Sequence, residues 1–319
     1  MGAPLRGVNL GGWLVLEPWL TPSLFKGSEA VDEYTYCQTG DMTRLTKHRD
    51  TFITEKDFEW LQGHGIEAVR LPIGYWVFGD EPPYAGTLKY VDKAFAWAEK
   101  YGLRILLDLH GAPDSQNGTM HSGRRGAIAW DAEKTLSVLI RLADRYGKHK
   151  ALLGVSLLNE PSPKLGKTAL KDFYRLAYSE LRARSSADAW IVFGDAFRPW
   201  WWRREFKQGD FPGMFVDYHH YQIYSWLDTL LSTGWQLLRS RYTMPNKVRR
   251  MTKHHPAIVG EWSLALRGGK VVTPKQRQHY AQAQQAAFAS TTAWFFWTYK
   301  TEYGGTWSFR DCVEKGLIA

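Results

Sequence analysis

The sequence predicts an α/β protein, a single-domain (β/α)8 TIM barrel over residues 1–319, and three observations carry that prediction. Eight short apolar runs alternate with amphipathic stretches from end to end, the pattern that demands a parallel sheet with crossover helices. The runs are apolar without a period of two, as strands buried on both faces are. No linker, repeat or low-complexity tract interrupts the 319 residues, a length that suits one closed barrel.

The strands are expected at Arg6–Asn9, Ala68–Pro72, Ile105–Leu109, Gly154–Leu158, Trp190–Phe193, Phe215–His219, Ala257–Gly260 and Ala293–Trp297. Helix punctuation lies between them: Thr54 with Asp57 as a capping pair, Gly102 and Gly147 after helix ends, and Thr273-Pro274 opening the seventh helix. Over Leu88–Tyr101, Val91, Phe95 and Ala98 recur at helical spacing and read as a packing face. No Gly-rich phosphate fingerprint follows the first strand, which argues against a nucleotide-binding sheet.

Hydrophobic residues make up 44% and charged residues 23%, enough for a large core without metals or disulfides. Trp is the outlier at 16 residues, and its flat faces serve both core packing and stacking on sugar rings. The formal charge of +9 raises nucleic acid or an acidic polysaccharide as partners, but the Lys and Arg are scattered. Their densest group, Arg239, Arg241, Lys247, Arg249 and Arg250, brackets a Pro-Asn turn and reads as a solvated face, so no nucleic-acid partner is expected. Cys37 and Cys312 stand far apart and read as two buried thiols; no metal, cofactor or disulfide is expected. No apolar run approaches the roughly 20 residues of a membrane span, and Arg6–Asn9 already reads as a strand. The expectation is a monomer without a signal peptide, cytoplasmic or trimmed of its leader.

In such a barrel the chemistry sits where the strands end. Those ends read Asn9, Arg70, Asp108 with His110, Asn159 with Glu160, Asp195, His219 to Tyr221, Glu261 and Trp297. A rim kept for stability alone has little reason to collect these groups. Two strands end in a carboxylate: Leu157-Leu158-Asn159-Glu160-Pro161 and Ile258-Val259-Gly260-Glu261-Trp262-Ser263. Carboxylates atop the fourth and seventh strands face one another across the mouth, the arrangement that glycoside hydrolysis needs. Taken singly, His110 and His219 read as satisfied core histidines and Trp297 as packing; as members of an ordered set they read as a site.

A longer string makes the likeness specific. It runs from Arg6-Gly-Val-Asn-Leu-Gly-Gly-Trp13 to Glu17-Pro18, then through Val69-Arg-Leu-Pro-Ile-Gly-Tyr-Trp76, Asp108-Leu-His-Gly-Ala-Pro113 and Ser115-Gln-Asn-Gly118. It continues in Leu158-Asn-Glu-Pro161, His219-His-Tyr-Gln222, Gly260-Glu-Trp-Ser263 and Lys300-Thr-Glu302. Over nearly its whole length the chain resembles glycoside hydrolase family 5, most of all its fungal exo-β-1,3-glucanase branch. The resemblance implies a retaining β-glycoside hydrolase acting on β-glucan, with Glu160 as acid/base and Glu261 as nucleophile. It further implies Arg70 and Tyr221 around Glu261; His110, Asn159 and His219 on sugar hydroxyls; Trp297 as a stacking floor; and Glu17, near Trp13, gripping the non-reducing end. The two carboxylates are then expected about 5–5.5 Å apart, with the pKa of the acid raised and that of the nucleophile lowered by Arg70.

The chain departs from that branch in ways that bear on substrate. Thr119-Met120-His121 stands where an aromatic and an acidic residue belong, which is expected to relax recognition of the terminal sugar. Tyr224 replaces a clamping Phe, Leu266 to Thr273 replaces a long insert, and Trp200-Trp201-Trp202 is open to two readings, replacement sugar platform or loop packing. The missing insert favours an endo-acting β-glucanase or β-mannanase as the alternative. A non-catalytic carbohydrate-binding barrel is opposed by the intact Glu160 and Glu261 pair.

Overall fold

The protein is described by a computed structural model over residues 2–223, 233–266 and 272–318. Eight parallel strands close in chain order: β1 (Leu5–Asn9), β2 (Ala68–Gly74), β3 (Arg104–Gly111), β4 (Leu152–Ser156), β5 (Trp190–Gly194), β6 (Met214–Gln222), β7 (Ala257–Leu266) and β8 (Ala293–Phe296). Closure is made by β1, which sets Val8 opposite Phe296 of β8 and Asn9 opposite Arg70 of β2. Each apolar run became a strand. The clearest differences are that β4 starts and stops two residues early, while β6 and β7 run on through the polar residues at the rim.

The outer shell comprises α1 (Glu55–Gly63), α2 (Leu88–Tyr101), α3 (Ala132–Tyr146), α4 (Lys167–Arg184), α5 (Thr233–Tyr242), α6 (Met244–Thr252), α7 (Pro274–Ala287) and α8 (Phe309–Glu314). Thr54 and Asp57 form a capping box at the start of α1, as do Thr273 and Gln276 at α7. Helix α2 buries Val91, Phe95 and Ala98 and ends on Gly102 at φ +69°. Gly147 follows the end of α3 as expected, with φ −57°. Two expectations are corrected: Pro245-Asn246 forms the first turn of α6 and not a loop, and Cys37 is only half-buried. A third concerns architecture: between β5 and β6 the chain forms no α-helix, only a short 3-10 turn at Pro199–Trp201.

Inward-pointing side chains form two layers, because alternate residues of a strand share a face. The lower layer is apolar, with Ala68, Leu106, Leu153, Val192, Ile258, Ala293 and Phe295 in one buried cluster. Two residues further along the same strands stand Arg70, Asp108 and Trp297. The polar rim is therefore the next layer of the same pleat.

Candidate active site

Arg70 is fully buried at the centre of this upper layer. Its guanidinium donates to Asn9 Oδ1 (2.9 Å), Glu261 Oε1 (3.1 Å) and Asn159 Oδ1 (2.8 Å), and pairs with Asp108 at 3.0 Å. A planar fork is suited to hold several acceptors at fixed angles. Asn9, with its amide on the Gly260 and Phe296 carbonyls, ties the network across β1, β7 and β8. His110 Nδ1 donates to Asp108 at 2.6 Å, which leaves Nε2 to face the Asn159 amide at 3.4 Å. The Ser115-Gln-Asn-Gly118 turn has its explanation here. Gln116 donates to the carbonyls of both His110 and Asn159, and Asn117 donates to that of Glu160, pinning β3 and β4 together.

Glu160 follows β4 at φ +41°, a conformation that is rare outside glycine and clusters at functional sites. Glu261 comes from β7 opposite His219, where the β6–β7 register shifts after Tyr218, an irregularity of the kind that re-aims side chains near active sites. His219 Nδ1 lies 2.7 Å from Glu160 Oε1 and 3.4 Å from Glu261 Oε2, and Tyr221 donates to Glu261 at 2.7 Å. An oxygen of each carboxylate and a nitrogen of His219 all lie within 4.8 Å of one another.

The electrostatics reverse the expected pKa order. Burial disfavours a charged His219, yet Glu261, Asp217 and Glu160 hold its pKa well above the ordinary range. Burial alone would raise Glu160, but the His219 hydrogen bond and charge, helped by His121 and His110, outweigh it and hold the carboxyl down at about 2. Glu261 is raised: burial and the Glu160 charge prevail over His219 and Arg70. His219 Nδ1, 2.7 Å from Glu160 Oε1, is placed to exchange a proton with that carboxylate, and the three groups also have the spacing of a metal-binding cluster.

The cavity above measures about 770 Å³, within the range of ligand sites. It is lined by Glu17, His110, Asn159, Glu160, His219, Tyr221, Glu261 and Trp297 from the expected set. Trp297 stacks on His110 with centroids 5.3 Å apart and planes 10° from parallel. Trp13 is corrected: it is fully buried, stacks on Trp97 and donates to the Arg49 carbonyl, and so packs β1 against the shell. Its place beside Glu17 belongs to Trp19, which donates Nε1–H to Glu17 Oε2 at 2.9 Å and meets Trp307 edge-on at the cavity wall. His220 points out of the barrel toward Phe288, as its odd position in the pleat requires. Tyr224 lies outside the described residues.

Sequence reasoning missed Trp19, Trp307 and Phe197, and read the 119–121 turn as a loss. His121 Nε2 in fact approaches Glu160 Oε2 at 3.3 Å, and burial holds its pKa down at about 4. Phe197 stands 47% exposed over the cavity on a backbone at φ +53°, held by its amide on Asp195. The one sequence signal was the Trp two residues after Glu17; Trp307, Phe197 and the approach of His121 to Glu160 had none.

Two carboxylates and an imidazole gathered above a closed parallel barrel, under an aromatic-walled cavity, are the equipment of a glycosidase. Residues 33–302 match the model of the family described as Cellulase (glycosyl hydrolase family 5), and the chain belongs to that family. It is 34% identical to a probable glucan 1,3-beta-glucosidase A of Emericella nidulans, over 98% of this chain and 89% of that one. It is likewise 34% identical to a glucan 1,3-beta-glucosidase of Kluyveromyces lactis, over 98% and 88%. Among solved structures it resembles a rutinosidase from Aspergillus niger, with TM-score 0.83 at 21% identity over 99% of this chain and 98% of that one. It also resembles the endoglucanase Cel5A of Thermotoga maritima, with TM-score 0.61 at 19% identity over 98% and 97%. At such identities these two likenesses speak to fold alone.

Proposed function

We propose that the protein is a retaining exo-acting β-glucosidase of β-1,3-glucan in which Glu261 is the nucleophile and Glu160 the acid/base. The observation that supports the mechanism is the close facing of the two carboxylates, an oxygen of each lying within 4.8 Å of the other, as a direct attack by Glu261 beside Glu160 requires. In the first half-reaction Glu261 forms a bond to the anomeric carbon as the bond to the leaving oxygen breaks, and that oxygen takes a proton from Glu160. In the second, water attacks the same carbon, Glu160 accepts its proton and Glu261 departs. The proton Glu160 needs is within reach on His219 Nδ1. Buried carboxylates also favour the positive charge that develops on the sugar ring.

The substrate reading follows the relatives' names. The chain-end reading follows Glu17, which is buried and held by Trp19 at the cavity wall, where it would meet terminal hydroxyls. Digestion of β-1,3, β-1,4, β-1,6 and β-1,2 glucans should release single glucose units, fastest from the β-1,3 chain. Proton NMR should see the β-anomer first, and azide should rescue Glu261→Gly as an α-glycosyl azide. An α-anomeric first product overturns the mechanism. Early release of longer fragments overturns chain-end action and favours the endo alternative.

A further inference from the structure

A second cavity, about 410 Å³, lies on the flank of the barrel, away from the site above. It exists because no helix covers the β5–β6 connection: the Pro199–Trp201 turn stands on one side and α6 on the other. Lys247 and Arg250 of α6 line the cavity, with Thr243 just before that helix and His254 just after it. Arg203 faces them from the loop. Among the described residues Arg203, Lys247 and Arg250 form no ion pair, and no carboxylate lines the cavity. Trp200 is 54% exposed at the mouth. Tyr218 points outward from β6 to line the cavity at 5% exposure, and its hydroxyl has no hydrogen-bond partner among the described residues.

We propose that this groove is a binding site for a carboxylated saccharide, a uronate-bearing oligosaccharide, separate from the hydrolytic site. Trp200 offers the flat apolar face on which a sugar ring stacks, the three unpaired cations meet ring carboxylates, and Tyr218 and Asn246 meet hydroxyls. A bare phosphate fits less well. The Thr243 amide is already bonded to the Arg239 carbonyl and Pro245 has none, so the start of α6 offers no cradle of free N–H groups.

Calorimetry on the full chain with trigalacturonate at low salt tests this, because it reads binding directly and does not depend on turnover. Saturable binding is expected, weakened at least tenfold by Trp200→Ala and by Lys247→Glu with Arg250→Glu, while both variants unfold at the wild-type temperature. A neutral β-1,3-glucotriose should not compete. The proposal is overturned by absence of binding, by binding that neither variant weakens, or by displacement with equimolar phosphate. Tighter binding of a short single-stranded oligonucleotide would likewise overturn it in favour of a nucleic-acid groove.

Discussion

His121 sets a second imidazole against Glu160, and among the described residues its buried Nδ1 has no hydrogen-bond partner. Removing it with His121→Ala loses a polar contact of about 1 kcal/mol, so kcat/KM for a natural glucan should fall roughly fivefold. Substrates with good leaving groups, which need less proton transfer, should lose less. Equal losses on both would make His121 a packing residue. Glu17 offers a residue-scale test of pH dependence. Burial, against the His110 charge and the Trp19 hydrogen bond, pushes its carboxyl from 4.5 up to about 7. The folded protein therefore keeps a proton that the unfolded chain has lost, and stability falls as pH rises from about 4.5 through 7. In Glu17→Gln that fall is absent. Melting at pH 5 and pH 8 should show the variant gaining on the wild type at the higher pH by up to about 3 kcal/mol. Parallel curves would show that Glu17 is charged throughout.

At the scale of elements, the floor of the cavity depends on the chain just after β1. A Cβ on Gly11 would lie 2.9 Å from Trp297 Cζ2 and 3.0 Å from Thr298 Oγ1, too close for the indole to stay parallel to His110. Gly11→Ala should therefore lower kcat/KM about as much as Trp297→Ala, on the order of tenfold, for lack of a stacking surface. Kinetics on a β-glucoside measure this, and full activity in Gly11→Ala would mean the indole can move without loss. The elements and the expected lining residues were mostly legible because strand-end chemistry is local in sequence. Asn159, Glu160 and Glu261 each follow directly on an apolar run, and Arg70 is the one charge inside another. Trp13 was misread because its place beside Glu17 in the chain says nothing of which face of a turn it takes. Phe197 left no trace, since its reach into the cavity comes from two residues at positive φ. The pKa order of the carboxylates was illegible for a different reason: His219 decides it, and its distance from both depends on a shift in register between β6 and β7.

For the molecule as a whole, the missing helix between β5 and β6 must be compensated, and of the three consecutive tryptophans Trp202 does so. Trp202 is fully buried against Tyr174 of α4 and Phe193 of β5, donates Nε1–H to the Asp195 carbonyl at 2.8 Å, and offers its own carbonyl to His255 ahead of β7. It takes the part of the absent helix. Trp200 is over half exposed and carries no such role. Trp202→Ala leaves a large void and an unpaired buried carbonyl, a loss of about 3–5 kcal/mol and a fall in Tm on the order of 10 °C. Trp202→Phe keeps most of the ring and loses chiefly the hydrogen bond, about 1 kcal/mol. Trp200→Ala should stay within about 0.5 kcal/mol of the wild type. Thermal unfolding of the three variants at one pH reads the series. Equal losses at positions 200 and 202 would mean that the loop is held by the tryptophan run collectively.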